Sequence, residues 1–115
     1  MYREEILDHY RNPRNEGEIE GALDAEGENP SCGDHVHIYV KVEDGEVEQV
    51  SHETDGCAIS TAGVSVLSEK IKGMDVEEVE DLDRDWMIDQ LGIDISPMRV
   101  KCAVLGLKTV QDALG

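Results

Sequence analysis

The most constraining feature of the chain is a short alternation followed by a tight turn. Between residues 35 and 42, Val36, Ile38, Val40 and Val42 alternate with His35, His37, Tyr39 and Lys41. Successive strand side chains point to opposite faces, so this pattern predicts a strand with one buried and one polar face. Asp44-Gly45 follows at once. An Asp-Gly pair between such runs signals a two-residue hairpin whose central residues both take positive φ. Val47 to about Thr54 is then the returning strand.

Taken literally, that turn makes facing residues add up to 89, so Cys32 faces Cys57 and Asp34 faces Asp55. Facing residues lie close across an antiparallel pair. On this register Cys32, Asp34 and Cys57 share the face of Val36 and Ile38 at the open end of the hairpin. A slip of one residue would break each pairing. The same arithmetic sets His37 opposite His52, with His35 next along, which reads as a solvated polar face. Lys41 faces Glu48, an exposed pair of little energetic weight.

Outside the hairpin the apolar period becomes helical. Residues 2–11 predict a helix, with Tyr2, Ile6 and Tyr10 on one face, and Asn12-Pro13 ends it. His9 lies near that end and reads as a packing or capping residue. Residues 15–31 are polar and glycine-punctuated, with room for at most a short edge strand near 21–26. After the hairpin, Ile59, Ala62, Gly63, Val66, Leu67 and Ile71 form one helical stripe, stopped at Gly73. Asp75 with Glu78 resembles a capping box for a helix over 76–82, and 86–91 is a further short helix closed by Gly92. Ser96-Pro97 reads as the N-cap and first position of a last helix over about 98–114. The expected fold is α+β: a small antiparallel sheet of about three strands, flanked by an N-terminal helix and several C-terminal helices, in one domain over 1–115.

Charge narrows the function classes. The 115 residues carry 10 Lys+Arg against 27 Asp+Glu, a net charge of −17. Duplex nucleic acid and anionic membrane surfaces both select basic footprints, so neither is an expected partner. No apolar run approaches a spanning helix and the start does not resemble a signal peptide, so the expected location is cytoplasmic. Hydrophobic residues are 39% of the chain and periodically spaced, which separates it from acidic disordered sequences. Acid spread over a folded surface repels itself unless salt screens it, which points to a halophilic source.

The three cysteines, Cys32, Cys57 and Cys102, are an odd count in a chain with no export signal. Cys32 and Cys57 each have a glycine neighbour, which lets backbone approach a bound ion closely. Cys102 comes early in the last helix beside Lys101. Helical amides and a cation both favour thiolate, the form that binds soft metals and attacks sulfur. Cys32, Asp34, Cys57 and Cys102 together make a four-donor set that suits zinc or an iron–sulfur cluster. The hard carboxylate matches cluster iron less well than a thiolate, so such a site should release its cluster more readily.

Four segments carry a family resemblance along nearly the whole chain: Asp8-His9-Tyr10-Arg11-Asn12-Pro13-Arg14-Asn15, Asn29-Pro30-Ser31-Cys32-Gly33-Asp34, Asp55-Gly56-Cys57-Ala58-Ile59-Ser60 and Arg99-Val100-Lys101-Cys102-Ala103. In this order they resemble the IscU/NifU/SufU family of iron–sulfur cluster assembly scaffolds. The resemblance implies a SufE/NifU-like fold and an assembly site at Cys32, Asp34, Cys57 and Cys102. It implies a non-enzymatic scaffold that takes iron, and sulfur from a cysteine desulfurase, and passes [2Fe–2S] clusters to apo-proteins. The persulfide acceptor is expected at Cys102, with Cys57 as the alternative, and an iron donor is a further implied partner. Lys101 stands where IscU members carry His, as in SufU-like members, while the interval between Cys57 and Cys102 has the shorter IscU-like length. Lys101 and Arg99 are read as accessory cations. The SufU-like feature sets up the alternative, a zinc-dependent sulfur-transfer protein that activates a desulfurase. Ile95-Ser96-Pro97-Met98-Arg99-Val100-Lys101 departs from the Leu-Pro-Pro-Val-Lys segment of IscU members, which speaks against a dedicated Hsp70-type chaperone partner.

Overall fold

Asp44 and Gly45 take φ of 53° and 77°, so the hairpin closes through the turn its sequence predicts. The computed structural model describes residues 4–30 and 33–115. Tyr2, and Cys32 with the pairing expected for it, lie outside the described residues. The turn joins β2 (Asp34–Glu43) to β3 (Glu46–Asp55), and β1 (Leu23–Asn29) pairs antiparallel along the other side of β2. The sheet is three-stranded and antiparallel, as expected, in the order β1-β2-β3. β1 reaches Asn29, beyond the short strand expected near 21–26, because its pairing with β2 continues to Asn29↔Asp34.

The register departs from the expected one by a single residue. Facing residues add up to 89 only beside the turn, at Glu43↔Glu46 and Val42↔Val47; from Lys41↔Gln49 to His35↔Asp55 they add up to 90. The cause lies in β3, where Val47 and Val50 are both buried. Residues three apart on a regular strand face opposite ways. A β-bulge gives β3 one extra residue and turns both valines to the core. Asp55 therefore faces His35 instead of Asp34, and His52 faces Ile38 instead of His37. Lys41 faces Gln49, although its Nζ still reaches Glu48 Oε1 at 3.5 Å.

The shift also separates the histidines. His35 and His37 stay on the outer face, 3.1 Å from Glu26 Oε1 and 2.6 Å from Asp24 Oδ2. His52 moves to the inner face and is fully buried. Its Nε2 donates to the Arg14 carbonyl at 2.8 Å, and its Nδ1 accepts from the Thr54 hydroxyl at 2.8 Å.

The described residues form α1 (Glu4–Arg11), α2 (Ala58–Lys70), α3 (Val76–Glu80), α4 (Arg84–Leu91) and α5 (Val100–Leu114). The Asp75–Glu78 capping box is present, and Gly92 closes α4 in the left-handed conformation. α4 begins two residues before the expected Trp86, because the Asp83 carboxylate caps it by accepting from the Trp86 N–H at 2.8 Å. α2 ends at a cap on Ile71, ahead of Gly73. α5 begins at Val100 with Arg99 as its N-cap. Ser96 and Pro97 instead open a separate turn, closed by Arg99 N–H donating to the Ser96 carbonyl at 2.8 Å, and so do not start the helix.

The expected single stripe on α2 is too narrow. Every residue from Ile59 to Ser68 is buried, because α1, α4, α5 and β3 all pack around this helix. No charge interrupts the chain between Gly56 and Ser68, which is the sequence counterpart of that central position. Small residues bring α2 and α5 into close contact. A Cβ on Gly63 would meet the Ala103 carbonyl at 3.3 Å, and one on Gly106 would meet Val64 Cγ2 at 2.8 Å. A hydrogen-bonded arm closes the other side of α2: His9 Nδ1 lies 2.7 Å from Ser65 Oγ, Arg14 N–H donates to the same oxygen at 2.8 Å, and Asn15 Nδ2 donates to Ser68 Oγ at 3.0 Å. His9 is thus a packing residue, as expected.

Candidate metal centre

The open end of the hairpin meets the first turns of α2 and α5. Cys57 precedes α2 as its N-cap, with extended backbone, and Cys102 is the third residue of α5. Asp34 is the first residue of β2. One ligand atom from each of Asp34, Cys57 and Cys102 lies within 4.8 Å of the others. A tetrahedral ion with bonds of about 2.3 Å needs sulfurs about 3.8 Å apart, so little closure separates this group from a ligand shell. Cys32, the fourth expected donor, lies outside the described residues.

Each side chain is held by identifiable contacts. Asp34 is 2% exposed, and its Oδ1 accepts from the Cys57 N–H at 2.9 Å. Its Oδ2 is buried and accepts no hydrogen bond of regular geometry among the described residues. Burial opposes ionisation of Asp34, but the Cys57 N–H, the polar Ser60 and Cys102 side chains and the Arg99 charge outweigh it and lower its pKa. Cys57 Sγ accepts from the Ser60 N–H at 3.5 Å and lies 3.5 Å from the Ser60 hydroxyl. Burial raises the Cys57 pKa, yet these Ser60 contacts, with Cys102, leave it lowered overall against the opposing charge of Asp34. Cys102 is 1% exposed and receives the Asn29 amide.

Gly56 makes room for the carboxylate. A Cβ there would stand 2.6 Å from Asp34 Oδ1, so any side chain would displace it. Gly33, on the other side of Asp34, has φ of 72°, which favours glycine. The register shift that removed Asp55 from Asp34 put the space beside Gly56 there instead.

The arrangement suits a soft or borderline cation. Two sulfurs converge with an ionised carboxylate whose second oxygen is buried and has no hydrogen bond of regular geometry among the described residues, and the amide ends of two helices favour negative charge there. Arg99 acts on Asp34 through its charge. Lys101 is exposed and lines a groove of about 450 Å³ between α4 and α5, with Val100, Val104, Leu107 and Lys108. Asn29 and Ser60 were not among the candidate residues. Ser60 is detectable as the position three beyond an N-capping cysteine, and Asn29 only once β1 is extended to face Asp34.

Comparison with known proteins identifies the family. A family model described as the NifU-like N-terminal domain matches residues 1–115. The zinc-dependent sulfurtransferase SufU of Bacillus subtilis is 34% identical over 128 residues, covering 96% of this chain and 87% of the relative. The iron–sulfur cluster assembly scaffold protein IscU of Thermotoga maritima is 39% identical over 131 residues, covering 99% and 92%. The crystal structure of a SUF-system scaffold protein from Fervidobacterium islandicum superposes with a TM-score of 0.83 at 34% identity, covering 99% of this chain and 96% of that one. Matched along its whole length by the family model, the chain belongs to the NifU-like N-terminal domain family.

Proposed function

We propose that the protein is a non-enzymatic scaffold on which [2Fe–2S] clusters are assembled and from which they pass to apo-proteins. The observation that carries this reading is the Asp34 Oδ2 atom, buried beside two cysteine sulfurs with no hydrogen bond of regular geometry among the described residues. A buried polar atom left unpaired is costly, and a metal-bearing cargo would satisfy it. Cys57, Cys102, Asp34 and Cys32 are the proposed ligands. A cysteine desulfurase supplies sulfur by exchange: an acceptor thiolate attacks its persulfide and the desulfurase thiolate leaves. Cys102 is the proposed acceptor, on its place in the first turn of α5 and the cations beside it. Its burial requires the site to open for delivery, whereas the half-buried Cys57, the alternative, needs less movement. Asp34 stays ionised, and its hard oxygen keeps the cluster releasable. An iron donor is a further partner of this reading. Arg99 and Lys101 act as accessory charges.

A second reading is zinc-dependent sulfur transfer. It is favoured by the half-buried position of Cys57 on an N-cap, where one thiolate can leave zinc and accept sulfur, and by the name of the Bacillus subtilis relative. The same residues would hold zinc, which would supply charge stabilisation for thiolates.

Anaerobic reconstitution with iron and sulfide separates the two. The scaffold reading expects visible charge-transfer absorption, and Asp34→Ala should slow cluster release. Tight zinc binding with no cluster would defeat it.

We place the chain, as one domain over 1–115, in the cytoplasm; no helix among the described residues is long and apolar enough to cross a membrane. The net charge of −17 further supports a halophilic setting. Circular dichroism should show structure lost as salt is withdrawn, and full structure at low salt would contradict it.

A further inference from the structure

Asn29 ends β1 directly opposite Asp34. Paired residues share a face of the sheet, so both side chains project toward the first turns of α2 and α5. Asn29 is 6% exposed, and its Nδ2 donates to Cys102 Sγ over 3.6 Å. The two cysteines are therefore tied to neighbouring strands. Asp34 on β2 holds the main chain of Cys57, and Asn29 on β1 holds the sulfur of Cys102.

The chemistry of that second contact is specific. A thiol sulfur is a weak acceptor. An anionic sulfur accepts far more strongly, since an ionised partner roughly doubles a hydrogen bond. A buried amide aimed at a cysteine sulfur is matched to the thiolate. Hydrogen bonds from outside the ligand set orient ligands and tune what they bind, and those to sulfur adjust the potentials of iron–sulfur sites.

We propose that Asn29 is a positioning residue of the centre: its side-chain amide orients the Cys102 sulfur and, by drawing on its lone-pair density, limits how strongly that sulfur donates to a bound ion. This rests on the reading of Asp34, Cys57 and Cys102 as a metal centre. A sulfur held back in this way complements the hard Asp34 oxygen, since both keep a bound cargo exchangeable.

Cobalt(II) titrated into the full chain is the probe. Its thiolate charge-transfer absorption reports sulfur donation, and its visible ligand-field bands report coordination geometry. Asn29→Leu removes the donor at nearly constant shape, and Asn29→Ala serves where Leu does not fit. The expected result is a charge-transfer band moved to longer wavelength while the ligand-field bands keep their tetrahedral pattern. In a Cys102→Ser background at saturating cobalt, the same Asn29 change should produce no movement. An unmoved band in the Asn29 variants would overturn the inference, as would an equal movement in both backgrounds. Absence of thiolate charge transfer in the unsubstituted protein would instead overturn the metal-centre reading beneath it.

Discussion

Two polar clusters are buried against the same central helix, and they are built differently. At the amino-terminal arm, His9, Arg14, Asn15, His52, Ser65 and Ser68 form a closed set. His52 uses both ring nitrogens, Ser65 Oγ meets both His9 and the Arg14 N–H, and Ser68 Oγ accepts from Asn15 while donating to the Ser65 carbonyl at 2.7 Å. At the start of α2, Asn29, Asp34, Cys57, Ser60 and Cys102 form an open set, in which Asp34 Oδ2 is buried and accepts no hydrogen bond of regular geometry among the described residues. Burial and polarity are common to both clusters. What differs is the remainder after the internal hydrogen bonds are assigned. A closed cluster specifies packing; an open one with soft donors is ready for a ligand.

Emptying the closed cluster should have the largest effect. His52→Ala removes a fully buried ring and strands the Arg14 carbonyl, so it should cost about 3 kcal/mol of stability. Zinc affinity should stay within about 3-fold, because substitutions at sites with no shared partners are nearly additive. Urea unfolding and a chelator competition measure the two quantities. A large loss of zinc affinity in folded protein would show that the clusters are not separate.

The converse change belongs at Gly56. Gly56→Ala drives a methyl into the Asp34 carboxylate. It should lower zinc affinity about 10- to 100-fold, as displaced supporting groups do, with a stability loss of about 1 kcal/mol. Unchanged affinity would remove Asp34 from the ligand set.

A smaller effect is expected from pH. Burial lowers the pKa of both His9 and His52 below the ordinary value of 6.5, assisted at His9 by the Arg14 charge. A histidine lowered on folding binds fewer protons in the folded state, so its contribution is full above the unfolded pKa. Stability should therefore fall as pH drops from about 7 toward the lowered values, by at most about 1.4 kcal/mol per pH unit for each histidine. Unfolding midpoints measured against pH should show this slope, and His52→Gln should flatten it. A slope unchanged by that substitution would assign it elsewhere.

The legibility of the chain follows the same division. The turn at Asp44-Gly45, the alternation of β2 and the capping box at Asp75 are local, and local chemistry decides them. The bulge in β3 is not local in cause: it exists because Val47 and Val50 must both reach the core. That spacing of three is visible in the sequence, but it competes with the two-residue turn, whose literal register puts His52 on the outer face. The convergence of Asp34, Cys57 and Cys102 is legible from residue types and family resemblance, while the literal two-residue register sets Asp34 against Asp55, one residue short of the Gly56 it packs on. Asn29 was not legible, because its role needs β1 to run its full length and α5 to lie across it. Ser96-Pro97 shows the opposite failure, a strong local signal for a helix start that the preceding turn absorbs.

On the reading proposed above, sulfur and a carboxylate oxygen share one ion at the first turns of α2 and α5. X-ray absorption at the zinc edge of the zinc-loaded protein tests it most directly. The expected shell has sulfur scatterers at about 2.3 Å with a single oxygen at about 2.0–2.2 Å. A shell of light atoms alone, or the outer scattering of imidazole rings, would contradict it.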